Sequence, residues 1–133
     1  MEIESDDIIE NRDLVVDIAQ ELRFRNFAIS VDNVGADWPE LALLPIFPFI
    51  ELKVAQQFVA GCAQDRLKQV VCRGIIDFAG NYGARTVAKG VETRADFLAV
   101  QEMGFDQAQG FLFGKPVSAQ KFARSRALPQ ASS

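Results

Sequence analysis

Histidine is absent from the 133 residues. Its absence excludes triad hydrolysis, histidine general bases and most zinc sites, which leaves carboxylate-bound hard metals, lysines and amides as the available chemistry. Cysteine is scarce. Cys62 and Cys72 stand without CxxC spacing, the pattern of small reduced core residues rather than of a disulfide framework or a metal site. An excess of one charge is lacking too. A formal net charge of -4 spread along the chain gives no electrostatic reason to expect a nucleic acid or an anionic membrane as partner. No apolar run approaches the ~20 residues that span a bilayer, and the acidic amino terminus is opposite in sign to a secretory leader. The cytoplasm is the expected compartment. What remains, 49% apolar and 24% charged residues, is a mixture suited to one domain with a core of its own.

The chain alternates short apolar runs with helical patterns. Met1-Glu2-Ile3 reads as the tail of a strand whose beginning is absent. From Asn11, a candidate N-cap, Leu14, Val15, Ile18 and Leu22 recur at helical spacing as far as Asn26, which can end a helix. Phe27 to Val31 reads as a buried strand closing at Asp32, and a short helix is expected between Asp37 and Leu44. Phe49 to Leu52 is the next strand, closing at Lys53. Leu67, Val70, Val71, Gly74, Ile75 and Phe78 form an apolar stripe on a long helix closed by Asn81-Tyr82-Gly83. Arg85 to Ala88 then leads to Lys89. Thr93 with Asp96 is a capping-box variant opening a helix that Gly104 ends, and Phe105 to Ala108 is a short strand closing at Gln109. A final helix is expected around Phe122, with a disordered tail over 128–133 and a single domain over 1–127.

Strands alternating with helices through short connections predict parallel pairing with right-handed crossovers. The expected fold is α/β: a partial (β/α) barrel of the TIM type, or an open sheet, with about five parallel strands. Glu2, Asp32, Lys53, Lys89 and Gln109 each close a successive strand, so their side chains are expected to converge on one face. Parallel α/β proteins do their chemistry at the carboxyl ends of the strands.

Four segments follow one another in a familiar order: Asp32-Asn33-Val34-Gly35, Leu52-Lys53-Val54-Ala55, Val87-Ala88-Lys89-Gly90-Val91-Glu92-Thr93 and Gln109-Gly110-Phe111-Leu112-Phe113-Gly114-Lys115-Pro116. In this order they resemble the EAL domain, the (β/α)-barrel family whose active members hydrolyse cyclic di-GMP to the linear dinucleotide. The register runs from the family's fourth barrel strand to its end, so the chain resembles the carboxyl-terminal half of such a domain. The resemblance implies a two-metal mechanism, Mg²⁺ or Mn²⁺ polarising the phosphate and activating water. Under it, Glu2 and Asp32 fall at metal-binding positions and Lys53 at an active-site lysine. Gln109 falls at a glutamine near phosphate and water, and Glu92 at a glutamate supporting the loop after the family's fifth strand.

The departures from the pattern are as informative. The second aspartate of the family's Asp-Asp-Phe-Gly turn is Asn33, and the aspartate two residues beyond the lysine is Ala55. Lys89 stands where the family carries a metal-coordinating glutamate. Exchanging a charge of -1 for +1 makes the position two units less favourable to a divalent cation, and an ammonium has no lone pair to give a metal. The chain is therefore expected to be a degenerate, non-catalytic fragment with no metal cofactor, working through protein contacts or residual nucleotide binding. The alternative is the carboxyl-terminal part of a metal-dependent phosphodiesterase that needs its other half.

If cyclic di-GMP binds, Lys53 and Lys89 are the phosphate contacts, with Gln109 beside them and Phe111 or Trp38 to stack a guanine. The bland reading makes Phe111 core and Trp38 a surface anchor. A half-barrel also leaves strand edges unpaired, so a protein partner or an edge-paired homodimer is expected. In that setting Lys89 would point its ammonium at Glu2 or Asp32, in the place of a metal.

Overall fold

The computed structural model describes residues 1–45 and 47–110, and the backbone of 117–118. Five parallel strands lie in sequential order: β1 (Glu2–Glu4), β2 (Ser30–Val34), β3 (Glu51–Val54), β4 (Arg85–Lys89) and β5 (Gln107–Gln109). β6 (Val117–Ser118) adds an antiparallel edge beside β5. Between strands run α1 (Ser5–Glu10), α2 (Arg12–Phe24), α3 (Gln56–Val59), α4 (Arg66–Asn81) and α5 (Arg94–Met103). β2 connects to β3 through a 3₁₀ turn over Trp38–Leu43. This is a partial (β/α) barrel.

Register gives the sheet two unlike faces. Ile3, Val31, Leu52 and Thr86 are lateral partners, as are Val54, Ala88 and Ala108. All but the partly covered Ile3 are buried, packed with Ile8, Ala19, Ile75, Phe97 and Val100 from the helices. Burying a side chain such as Phe97 contributes about 1.5–3 kcal/mol. On the other face, Glu2 pairs with Ser30, Ser30 with Glu51, Glu51 with Arg85, Glu4 with Asp32 and Lys89 with Gln109. That face is polar except at buried Val87, which sits between Lys53 and Gln107.

Three helices return to the sheet through one device. Asn26, Gly83 and Gly104 take left-handed φ of 67°, 69° and 102°. Behind each, paired bonds close a Schellman turn: Phe27 N–H to Leu22 O (2.9 Å) with Asn26 N–H to Arg23 O, Ala84 to Ala79 with Gly83 to Gly80, and Phe105 to Val100 with Gly104 to Gln101. The first of these explains why β2 begins at Ser30 and not at Phe27. Phe27 is still spending its N–H on α2, and its ring is exposed.

The helical stripes differ from expectation in phase. On α2 the buried residues are Val16 and Ala19, while Leu14 and Ile18 face outward at 62% and 45% exposure. On α4 the seam is Cys72, Ile75, Phe78 and Ala79, leaving Leu67 and Val70 at 72% and 62%. At about 100° per residue, Val70 sits roughly 200° from Cys72 and so turns away from the sheet. Asn11 joins α1 to α2 without capping through its side chain, which instead donates to Asp7 O. The helix expected around Phe122 and the tail 128–133 lie outside the described residues.

Both cysteines are free and fully buried. Burial pushes the Cys62 thiol from its ordinary 9.0 up to about 11, and Cys72 up to about 12. Thiolate is the reactive form. A disulfide reagent at pH 8 should therefore titrate almost no thiol in the folded chain and two per chain after denaturation, whereas rapid labelling without denaturant would show the packing to be looser than described.

Candidate functional site at the carboxyl ends of the strands

Two ion pairs cross the polar face, and each reaches over one strand. Lys53 on β3 donates to Glu2 on β1. Lys89 on β4 donates to Asp32 Oδ1 on β2 at 2.7 Å. The environments are unequal: Glu2 is 48% exposed at the side chain, Asp32 only 14%. Water therefore competes for the first carboxylate far more than for the second.

Asn33 ties the second pair to a third carboxylate. Its backbone is left-handed, φ 55°, at the point where the β2–β3 register shifts between Val31 and Val34. From there Nδ2 donates to Glu4 Oε2 at 2.6 Å, while Oδ1 accepts from Lys89 Nζ at 3.3 Å. An amide can do both; an aspartate there would set one carboxylate against another. Lower on the same face, Ser30 Oγ donates to Glu51 Oε1 at 3.0 Å and Arg85 pairs with Glu51 at 3.5 Å.

The next loops are knitted around Glu92. Its carboxylate accepts from Gln56 Nε2 at 3.0 Å, and the Gln56 stem lies over Gly90, leaving no room for a Cβ. Glu92 thus ties the loop after β4 to the segment after β3. Gln109 stands beside Lys89 in the β4–β5 register, and its carbonyl accepts from Val91 N–H at 3.0 Å. A Cβ on Gly110 would fall inside the van der Waals shell of the Val91 backbone. Gly110→Ala is expected to lower unfolding free energy by about 2–3 kcal/mol, measured by urea denaturation; an unchanged midpoint would place Gly110 elsewhere.

The hydrogen bond from Lys53 to Glu2 raises the lysine above its ordinary 10.5, with burial opposing and the charges of Glu2, Glu51 and Asp32 assisting. A lysine raised on folding contributes stability that is whole below its unfolded value and is lost as pH rises through the folded one. The two buried thiols, raised from 9.0, act in the same direction. Stability is therefore expected to hold flat up to about pH 9 and to fall from there toward pH 12. A plateau extending to pH 11 in chemical denaturation would contradict it.

Does this donor set fit a divalent metal? Glu2 and Asp32, the two sequence candidates, are each closed by an ammonium. Among the described residues no three Asp, Glu, Cys or His side chains gather to hold an ion. Ala55, in place of an aspartate, is a buried methyl. Hard cations need several oxygens, and here one oxygen of each candidate carboxylate is held by a protein ammonium.

Sequence reasoning placed Glu2, Asp32, Lys53, Lys89 and Gln109 on one face, and the register puts them there. It missed Glu4, which alternation with Glu2 signals, and it missed Gln56. Trp38 is not a platform in the barrel mouth: its indole lies on Gly74 of α4, with its ring 5.4 Å from that of Phe78. Phe111 lies outside the described residues.

With the geometry in place, similarity to known proteins becomes informative. The EAL domain profile matches residues 1–116. Cyclic di-GMP phosphodiesterase PdeR of Escherichia coli K12 is 29% identical over 117 residues, 88% of this chain and 18% of its own length. The solved EAL domain of DcpA from Mycobacterium smegmatis superposes with a TM-score of 0.77 at 28% identity, covering 92% of this chain and 55% of that one. Klebsiella pneumoniae BlrP1, solved with calcium and cyclic di-GMP, gives 0.78 at 27% identity, over 89% of this chain and 30% of that one. The chain spans less than a fifth of the length of the curated relatives it matches. No helix among the described residues is long and apolar enough to cross a membrane. On this match the chain belongs to the EAL domain family.

Proposed function

We propose that this chain is a catalytically silent EAL region, residues 1–127, acting in cyclic di-GMP-related signalling in the cytoplasm through protein contacts. The observation that carries the reading is the 2.7 Å bond from Lys89 to Asp32. A cation in direct contact with a candidate metal carboxylate supplies internally the positive charge that a divalent ion would bring, and it leaves the acid with no reason to recruit one. The pairing of Lys53 with Glu2 supports the same reading for nucleotide binding. Both ammoniums already have anionic partners, so a phosphate from cyclic di-GMP must compete with a carboxylate for their charge.

The test is a hydrolysis assay with cyclic di-GMP and Mg²⁺ or Mn²⁺, run on this chain and on a longer protein that supplies the strands upstream of Met1. No linear dinucleotide is expected from either while Lys89 is present. Metal-dependent product from the longer protein would overturn the proposal and establish the alternative, an enzyme completed by its other half. Calorimetric titration of Mn²⁺ gives a second readout. Lys89→Glu, which adds a carboxylate beside Asp32, is expected to bind Mn²⁺ at least tenfold more tightly than the unaltered chain.

A further inference from the structure

The first turns of α4 carry positive charge that the chain leaves unpaired. Arg66, Gln69, Val70 and Arg73, with Ala63 and Gln64 just ahead of the helix, line an open cavity of about 620 Å³. No carboxylate stands in its wall. Seven positions apart, the two arginines lie about 20° from one another around the helix and ~10.5 Å along it, a gap that two long side chains can close from either end. The neighbouring charges are engaged elsewhere. Asp65 accepts from Lys68 N–H at 3.1 Å, Lys68 Nζ donates to Ala60 O at 2.6 Å, and buried Asp96 accepts from Gly61 and Ala63 N–H. Asp77 is exposed one turn beyond Arg73 and outside the cavity wall, and among the described residues neither arginine forms an ion pair with it or with any other carboxylate. Two guanidiniums thus share one cavity in a chain whose net charge is -4.

We propose that this cavity is a binding site for a small organic phosphate monoester. Charge selects the class. A monocarboxylate would neutralise one guanidinium and leave the other, whereas a phosphate monoester carries a charge of about -2 at neutral pH and offers three oxygens that two planar forks can share. Room selects the organic group. The volume falls within the roughly 300–1,000 Å³ of small-molecule sites, more than a phosphate fills, and Val70 with Ala63 gives the remainder of the ligand an apolar wall. Gln69 is half-buried and fixed by its Nε2 bond to Cys62 O at 2.8 Å, which leaves Oε1 to accept from a ligand hydroxyl. None of these residues belongs to the strand-end carboxylate network, so the site stands whether or not that network is silent.

Phenyl phosphate is the probe, titrated into ¹⁵N-labelled chain while the Nε–Hε signals of Arg66 and Arg73 are followed by NMR. Both signals are expected to move together and to saturate. Inorganic phosphate, which lacks the ring, and benzenesulfonate, a monoanion of similar shape, are each expected to bind about tenfold more weakly. Arg66→Gln and Arg73→Gln should each weaken phenyl phosphate about tenfold and leave the backbone spectrum otherwise that of the folded chain. The pH profile is diagnostic because the chain has no histidine, so no side chain of ordinary ionisation changes charge between about pH 5 and 8. Affinity is expected to fall about fivefold from pH 7 to pH 5, following the ligand's second ionisation near pH ~6, while benzenesulfonate stays flat. A phosphoserine peptide is expected to bind no more tightly than free phosphoserine; a tenfold gain would make the ligand a phosphorylated protein and overturn the small-molecule assignment. Unmoved arginine signals, benzenesulfonate or inorganic phosphate binding as tightly as phenyl phosphate, or affinity kept in both variants would each overturn the proposal.

Discussion

Lys89→Met is expected to lower the stability of the chain by about 2–3 kcal/mol, several times the loss from Lys53→Met. Methionine keeps most of the aliphatic stem, so the experiment removes charge more than packing. What it leaves behind decides the magnitude. Asp32, 14% exposed at the side chain, loses its ammonium in a setting where water replaces it poorly. Stripping one partner from a fully buried pair costs roughly 3–5 kcal/mol, reduced here because both groups keep some solvent contact. Glu2 is 48% exposed and rehydrates, so its loss should stay below about 1 kcal/mol. In the double variant Lys89→Met with Asp32→Leu no charge is stranded, and most of the stability should return. Equal midpoints for the two single lysine variants in urea would mean that Asp32 is solvated after all.

A comparable effect is expected far from the polar face, at Asp96→Ala, with a loss of about 3–4 kcal/mol. Asp96 is 4% exposed, and its two oxygens accept from Gly61 N–H at 2.8 Å and Ala63 N–H at 3.0 Å. Its own N–H donates to Thr93 Oγ1 at 3.1 Å, the cap of α5. One carboxylate therefore fastens the turn ahead of α4 to the first turn of α5. Alanine orphans two backbone donors, each worth about 1–3 kcal/mol when left without a partner. Asparagine keeps one acceptor and should lose about half as much. The damage should appear locally, as faster amide exchange at Gly61 and Ala63; a variant within 1 kcal/mol of the parent would show that water fills the gap.

Asp96 also shows where sequence reading stops. Thr93 and Asp96 are four positions inclusive and announce a cap, and the cap forms. Nothing in that spacing says that the aspartate's side chain is committed to a turn more than thirty residues upstream, since that bond exists only once β3 and β4 lie side by side. The strand-end residues were legible for the opposite reason: each closes an apolar run, and parallel register then forces them to one face. Helix phase was less legible. Leu14 and Ile18 satisfy helical periodicity as well as Val15, Ala19 and Leu22 do, and only packing against the sheet selects which stripe is covered. α1 escaped notice because Ser5–Glu10 holds just two apolar residues, Ile8 and Ile9, too few to display a period. Asn33 could be seen as a departure from a pattern. Its work as a hinge between Glu4 and Lys89 could not, because it depends on a left-handed backbone at a register shift.

The three Schellman returns at Asn26, Gly83 and Gly104 have a bearing on how such a site changes over time. They stiffen the end of the sheet where helices hand the chain back to strands, each through a stop of the same geometry. Asn33, Ala55 and Lys89, the three residues that break the family pattern, all stand at the opposite end. Scaffold and chemistry thus sit at opposite ends of the same strands, so the catalytic vocabulary could be rewritten letter by letter while the grammar of the barrel stayed intact. On the proposed reading the shape outlasts the reaction, because the turns that define it, at Asn26, Gly83 and Gly104, lie away from the strand ends that carry the chemistry.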